Sequence, residues 1–145
     1  MASSISEEMS LLLRQRSLVA RETSYSPYSH FRVGAAILTD CGKIFTGCNV
    51  ENVSYGLTIC AERTAYTKAV SEGYKKFKAV SVATDAVEKF VYPCGACRQF
   101  MSEFGDVAIY TVKKDESFEE TTLGQILPKS FDDEAFQSGR INEKL

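Results

Sequence analysis

Residues 33–51 read VGAAILTDCGKIFTGCNVE. Val33 to Thr39 and Lys43 to Glu51 are two strand-like runs, and Asp40-Cys41-Gly42 between them is a short turn with a glycine available for a left-handed conformation. The stretch is predicted to be a β-hairpin. Shortly after it, Cys60 to Ser71 reads as a helix closed at Gly73. Ala61, Ala65 and Ala69 form a small-residue ridge at i, i+4 spacing on that helix, which permits close approach of a neighbour. Such a ridge suits a buried central helix, and it also suits tight packing against another subunit.

Outward from this unit, Glu7 to Glu22 carries Met9, Leu11, Leu12, Leu13, Leu18 and Val19 among Arg and Glu, a helical pattern that Ser24 to Ser29 then breaks. Downstream, Ala79 to Thr84 reads as a strand, Cys94 to Phe104 as a helix closed by Gly105, and Val107 to Val112 as another strand. Phe118 to Thr122 is a candidate last strand. Leu123 to Leu127 and Asp132 to Gln137 read as short helical pieces separated by Pro128. The order predicts an α/β fold, a three-layer α/β/α sandwich whose mixed five-stranded sheet carries helices on both faces. No internal repeat, linker or low-complexity stretch divides the chain, so one domain over residues 1–145 is expected.

Two motifs carry the chemistry, Cys60-Ala61-Glu62 and Pro93-Cys94-Gly95-Ala96-Cys97-Arg98-Gln99. Thiolate sulfur suits a borderline-soft ion such as zinc, and three protein ligands leave a fourth tetrahedral position open for water. Cys94 and Cys97 stand three apart, so both sulfurs share one face of a first helical turn, while Cys60 arrives from the start of another helix. Each helix start offers a positive dipole end that favours thiolate over thiol. Arg63 and Arg98, close in sequence to the ligands, are placed to add to that compensation. Glu62 as a fourth ligand would close the site. Held beside an open position, its carboxylate can instead take a proton from water and deliver it to a substrate nitrogen. C-x-x-C alone would fit a structural zinc knuckle or a redox pair equally well.

Hydrophobic residues make up 44% of the 145 residues and charged residues 25%, ordinary values for a globular domain that folds without disulfide support. The polar Met1 to Ser10 segment has neither the basic region nor the apolar block of a signal peptide, so a cytoplasmic location with reduced Cys41 and Cys48 is expected. No apolar run is long enough for a membrane span. A net charge of −2, with Lys75, Lys76 and Lys78 as the one basic cluster, argues against a nucleic-acid partner.

The two cysteine motifs do not stand alone. Together with Tyr28-Ser29-His30-Phe31-x-Val33-Gly34-Ala35-Ala36, Gly47-Cys48-Asn49-Val50-Glu51-Asn52, Ala61-Glu62-Arg63-Thr64-Ala65 and Leu127-Pro128-x-Ser130-Phe131, they cover nearly the whole chain. In these blocks the sequence resembles the small zinc-dependent cytidine deaminases, homotetrameric enzymes of pyrimidine salvage. The resemblance implies one zinc per chain on Cys60, Cys94 and Cys97, with Glu62 as proton shuttle and Arg63 hydrogen-bonding the sulfurs. It further implies that Asn49 and Glu51 hold the sugar 3′-hydroxyl, Phe31 packs on the pyrimidine and Ala61 holds the base through its backbone. Tyr55 and Phe131 would complete a neighbouring subunit's pocket. Taken alone, Phe31 and Tyr55 also fit core aromatics, and Asn49 and Glu51 a solvent-facing pair alternating on a strand. His30 reads as structural or as support for the site, because Cys60 fills the place that His takes in related deaminases. Arg32 departs from the pattern, where many relatives carry Pro. The expected reaction is hydrolytic deamination of cytidine and 2′-deoxycytidine. A deaminase of a cytosine antibiotic of the blasticidin type, an editor of cytosine in RNA or DNA, and a non-catalytic zinc module are the alternatives.

Overall fold

In the computed structural model, which describes residues 5–139, the chain runs α1 (Glu7–Arg21), β1 (Val33–Thr39), β2 (Ile44–Cys48), α2 (Ala61–Ser71), β3 (Phe77–Thr84), α3 (Gly95–Ser102), β4 (Ala108–Val112), β5 (Phe118–Thr122), α4 (Leu123–Ile126) and α5 (Asp133–Ser138). A single 3₁₀ turn, Tyr55–Leu57, lies between β2 and α2. The two ends of the expected domain, residues 1–4 and 140–145, fall outside the described residues. Ser6 starts α1 by accepting the Met9 N–H at 3.1 Å, and Glu7 and Glu8 place negative charge on its positive dipole end.

The five strands form one sheet in the order β2-β1-β3-β4-β5. β3 and β4 pair in parallel and every other pair is antiparallel, so the sheet is mixed, as expected. Ala35 and Ile37 of β1, Val80 and Val82 of β3 and Ile109 of β4 pack with Ala65 and Tyr66 of α2 and Met101 of α3. The intervening residues Ala36, Leu38, Ala79, Ala108 and Tyr110 turn to the other face and cover Leu13 of α1. A central strand buried on both faces is largely apolar, which is why β1 reads as a continuous run, while β3 buries Ser81 and Thr84 among its apolar residues. Helices on both faces of this sheet make the three-layer sandwich.

Two glycines set how near the helices come. A Cβ on Gly34 would lie 2.1 Å from the Ser17 carbonyl oxygen, and one on Gly47 would lie 2.5 Å from the Ala65 nitrogen and 2.8 Å from the Ala61 carbonyl oxygen. α2 therefore rests directly on β2. Ala61, Ala65 and Ala69 are fully buried in this contact, so the small-residue ridge is spent inside the chain and is not the surface offered to another subunit.

Some boundaries differ from expectation. β2 stops at Cys48, three residues before Glu51: Asn49 still donates its N–H to the Val33 carbonyl at 3.1 Å, in register with the ladder, but Val50 leaves it to pair with Ile59. Asn49 and Glu51 consequently stand beyond the strand, not alternating along it. β3 begins two residues earlier, at Phe77, and α3 ends at Ser102, not Phe104. Cys41 and Cys48 are free thiols. No helix among the described residues is long and apolar enough to cross a membrane.

Candidate metal centre

Cys60 is the N-cap residue of α2 and Cys94 that of α3, and neither makes a side-chain capping hydrogen bond. Cys97 follows one turn into α3. The fold brings the three Sγ atoms within 4.8 Å of one another, with Cys60 and Cys94 3.8 Å apart. Burial is graded across the trio, from exposed Cys94 through half-buried Cys60 to buried Cys97. Arg63 Nη2 donates to Cys60 Sγ at 3.5 Å. Arg98 does not join in this compensation: its Nε goes to the Pro93 carbonyl at 2.7 Å and its Nη1 to the Ile126 carbonyl at 3.1 Å, which fixes the chain entering α3.

Hydrogen bonding from Cys97, helped by Arg63, lowers the Cys60 thiol to about 5, against the opposing effect of burial. The Cys97 thiol is pushed up by the same Cys60 contact and by burial. Glu62, on the first turn of α2, is only 4% exposed, and burial pushes its carboxyl up to about 7. A buried acid beside three sulfurs is an expensive arrangement for a purely structural site.

Cys60, Cys94 and Glu62 line a cavity of about 170 Å³ together with Ala61, Val33 and Asn49, while Cys97 lies buried behind it. Thr58 connects it to an adjoining recess of about 340 Å³ that includes Tyr28, Ser29, Glu51 and Tyr55. Asn49 is buried and committed to its own chain: Oδ1 accepts from the Val33 N–H at 2.9 Å and from Ser24, and Nδ2 donates to the Phe31 carbonyl at 2.9 Å. Among the described residues, Nδ2 has this one recorded acceptor for its two protons. Glu51 accepts from the Tyr28 N–H at 2.9 Å, from the Ser29 N–H at 3.1 Å and from the Ser29 hydroxyl, bonds that hold its carboxyl below the usual range.

The aromatic candidates divide. Half-buried Phe31 lines neither cavity and is tied by its backbone to Asn49 and to Ser29 Oγ. Tyr55 is 73% exposed against Tyr28, with ring centroids 5.5 Å apart. Phe131, 64% exposed, lines neither cavity, and its backbone pairs with Gln99 at 2.7 and 3.2 Å. His30 is exposed at φ 55°, a left-handed turn residue. Thr84, Val91 and Tyr92, which belong to neither cysteine motif, also line the smaller cavity. Thr84 ends β3, and the carboxyl end of a strand is where ligands enter open α/β sheets. Tyr92 precedes Pro93-Cys94, and its hydroxyl hydrogen-bonds Glu119 of β5.

The cytidine and deoxycytidylate deaminase zinc-binding region matches residues 7–113, a span that contains Glu62 and all three sulfurs. The chain belongs to this family. A probable cytidine deaminase of Dictyostelium discoideum is 61% identical over 115 residues, 79% of this chain and 78% of that protein. The cytidine deaminase of Sporosarcina psychrophila is 50% identical over 117 residues, 79% of this chain and 85% of its own. Among solved structures, cytidine deaminase from Burkholderia pseudomallei superposes with a TM-score of 0.80 at 41% identity, covering 88% of this chain and all of that one. A blasticidin-S deaminase of Bacillus cereus is more distant, 30% identical over 106 residues, 68% of this chain and 76% of that one. The family's cofactor is zinc, and three converging sulfurs, one of them hydrogen-bonded by a guanidinium, are a donor set that fits it.

Proposed function

We propose that the protein hydrolyses cytidine and 2′-deoxycytidine to the uridine nucleosides and ammonia, in pyrimidine salvage. The observation that carries the reading is a buried Glu62, beside a cluster of three sulfurs, lining a small cavity with Cys60, Cys94 and Asn49.

Cys60, Cys94 and Cys97 would hold zinc, which supplies a Lewis acid that acidifies water toward neutrality. Glu62 accepts the proton that water gives up as its oxygen adds to C4, and passes it to N3. The same carboxylate then takes the proton of the new C4 hydroxyl and delivers it to the amino nitrogen, so that the C4–N bond breaks, a C4 carbonyl forms and ammonia leaves. Arg63 holds the charge of Cys60 in place. The cavity of about 170 Å³ suits the base, with Phe31 packed on it and the Ala61 backbone holding it, while the recess of about 340 Å³ suits the sugar. Asn49, through its remaining amide proton, and Glu51 bind the 3′-hydroxyl. Contacts there leave the 2′ position unscrutinised, so both nucleosides are substrates.

Tyr55 and Phe131 present aromatic rings that this chain leaves uncovered, which supports a homotetramer in which they close a neighbour's pocket. The chain acts as one catalytic domain in the cytoplasm, with no nucleic-acid partner. Purified protein incubated with cytidine should show the ultraviolet change of conversion to uridine. A protein that binds zinc and leaves cytidine unchanged would refute the assignment. Phe131→Ala should raise KM with zinc retained, and a fully active monomer in sedimentation would refute the shared pocket.

A further inference from the structure

Arg32 sits between Phe31 and Val33, the two residues whose backbone Asn49 holds from the cavity side. On the other side stands Asp85. The Arg32 peptide N–H donates to Asp85 Oδ2 at 3.0 Å, Nε donates to the same oxygen at 3.0 Å, and Nη2 reaches Oδ1 at 3.0 Å. The remaining guanidinium arm, Nη1, donates to Glu22 Oε2 at 3.0 Å. Asp85 directly follows Thr84, the end of β3 and part of the cavity wall. From α1, Arg21 Nη1 donates to the Thr84 carbonyl at 2.9 Å, and its Nε stands 3.7 Å from Asp85 Oδ1.

An isolated surface ion pair is worth little, because two long side chains must be immobilised in water for a screened attraction. This pair differs in two respects. The fork of Arg32 meets the carboxylate at two points, which fixes direction as well as distance. A backbone donor of Arg32 is committed to the same carboxylate, so the contact restrains the main chain and not only a side-chain tip. That main chain needs restraint: it lies outside any helix or strand until Val33, and His30 enters it in a left-handed conformation. Burial disfavours the Asp85 charge, yet the Arg32 hydrogen bonds hold its carboxyl below the usual range.

From this geometry we infer that Arg32 and Asp85 form a positioning clamp for the nucleoside pocket, setting the Phe31–Val33 backbone, and through it Asn49, without touching substrate. The inference rests on the nucleoside reading above. Proline at position 32 would restrain the same backbone by fixing φ and would have no N–H to offer Asp85. The clamp and a proline are therefore alternative solutions to one problem.

The test uses the zinc-loaded enzyme with Arg32→Ala, Asp85→Ala, Arg32→Pro and the double variant Arg32→Pro/Asp85→Ala. The two alanine variants should raise KM for cytidine about fivefold, equivalent to about 1 kcal/mol at 1.4 kcal/mol per tenfold, with kcat and zinc content held. Arg32→Pro should recover the wild-type KM, and adding Asp85→Ala to it should change little. Raising salt from about 0.05 to about 0.5 M should raise KM for the wild type and not for Arg32→Pro, since the Debye length contracts across that range. Hydrogen exchange at the Phe31 and Val33 amides should quicken in Arg32→Ala. An unchanged KM in both alanine variants overturns the inference, and so does a raised KM with zinc loss that proline fails to rescue. A wild type inert toward cytidine refutes the nucleoside reading instead, and exchange rates unmoved by Arg32→Ala then overturn the clamp by themselves.

Discussion

Gly47→Ala adds one methyl group where β2 meets the first turns of α2. The new Cβ would stand 2.5 Å from the Ala65 nitrogen, 2.8 Å from the Ala61 carbonyl oxygen and 3.0 Å from the Thr64 Cβ. Comfortable separations between carbon atoms are about 3.5–4.0 Å, so α2 must retreat by roughly 1 Å. Two of the three obstacles are backbone atoms, which cannot rotate aside. Overpacking of this kind costs about 1–3 kcal/mol, and a backbone clash belongs in the upper half of that range. For a chain of this size each kcal/mol lowers Tm by roughly 3 °C, so a fall of about 6–9 °C is expected. The retreat also carries Cys60 and Glu62 away from Cys94 and Cys97, because the first pair starts α2 and the second belongs to α3. A displacement of about 1 Å at a reacting centre can cost on the order of 100-fold in rate, so turnover should suffer more than stability implies. Differential scanning calorimetry and a cytidine assay on the same sample read both effects. Gly95→Ala is the control for stability, since nothing lies within 4 Å of its added Cβ and the residue opens α3. It should leave Tm level or slightly raised. A Gly47→Ala protein melting within about 1 °C of wild type would mean that the helix does not rest on the strand as described.

Glu62→Gln should keep its zinc and its fold and lose about 10²–10⁴-fold in turnover, because an amide cannot carry a proton between water and base. Residual activity above about one per cent of wild type in a coupled ammonia assay would refute the shuttle. Cys97→Ala should lose zinc and loosen the starts of α2 and α3, checked by metal analysis and circular dichroism. One tightly held zinc per chain in that variant would remove Cys97 from the ligand set. Asp85→Asn should melt below wild type at neutral pH. The folded carboxyl sits below its ordinary 3.8, so its contribution is present above that value and is lost as pH falls through the folded pKa. The gap in Tm should close in acid, and a gap that stays constant into the acid unfolding range would refute the assignment.

The hairpin, the small-residue helix and the sandwich were legible because each is written locally. β1 is buried on both faces, so its apolar run announces itself, β3 shows itself by alternation, and the cysteine spacing fixes a first helical turn. What stayed hidden depends on partners distant in sequence. The end of β2 is decided by Val50 leaving the ladder for Ile59, a choice that strand propensity cannot report. The alanine ridge signalled close approach correctly but not its object, which is Gly47 of the same chain. Arg32 read as a lost proline until Asp85, 53 residues away, supplied the partner. Arg98 looked like a sulfur neighbour and turned out to brace carbonyls. Tyr92 was audible in principle, as the aromatic residue next to a ligand motif, but nothing local says that a side chain faces a cavity.

The missing side-chain caps on α2 and α3 have a consequence for how much working protein a cell can keep. Serine at those two positions would hold each helix origin unaided, leaving the ion an optional guest. Cysteine hands that task to whatever binds the sulfurs. Stability then grows with the logarithm of free ion concentration, by about 1.4 kcal/mol for each tenfold above the dissociation constant. A cell short of zinc would thus not accumulate idle copies waiting to be loaded. Their helix origins would open, proteases would remove them, and the standing population would track the metal supply.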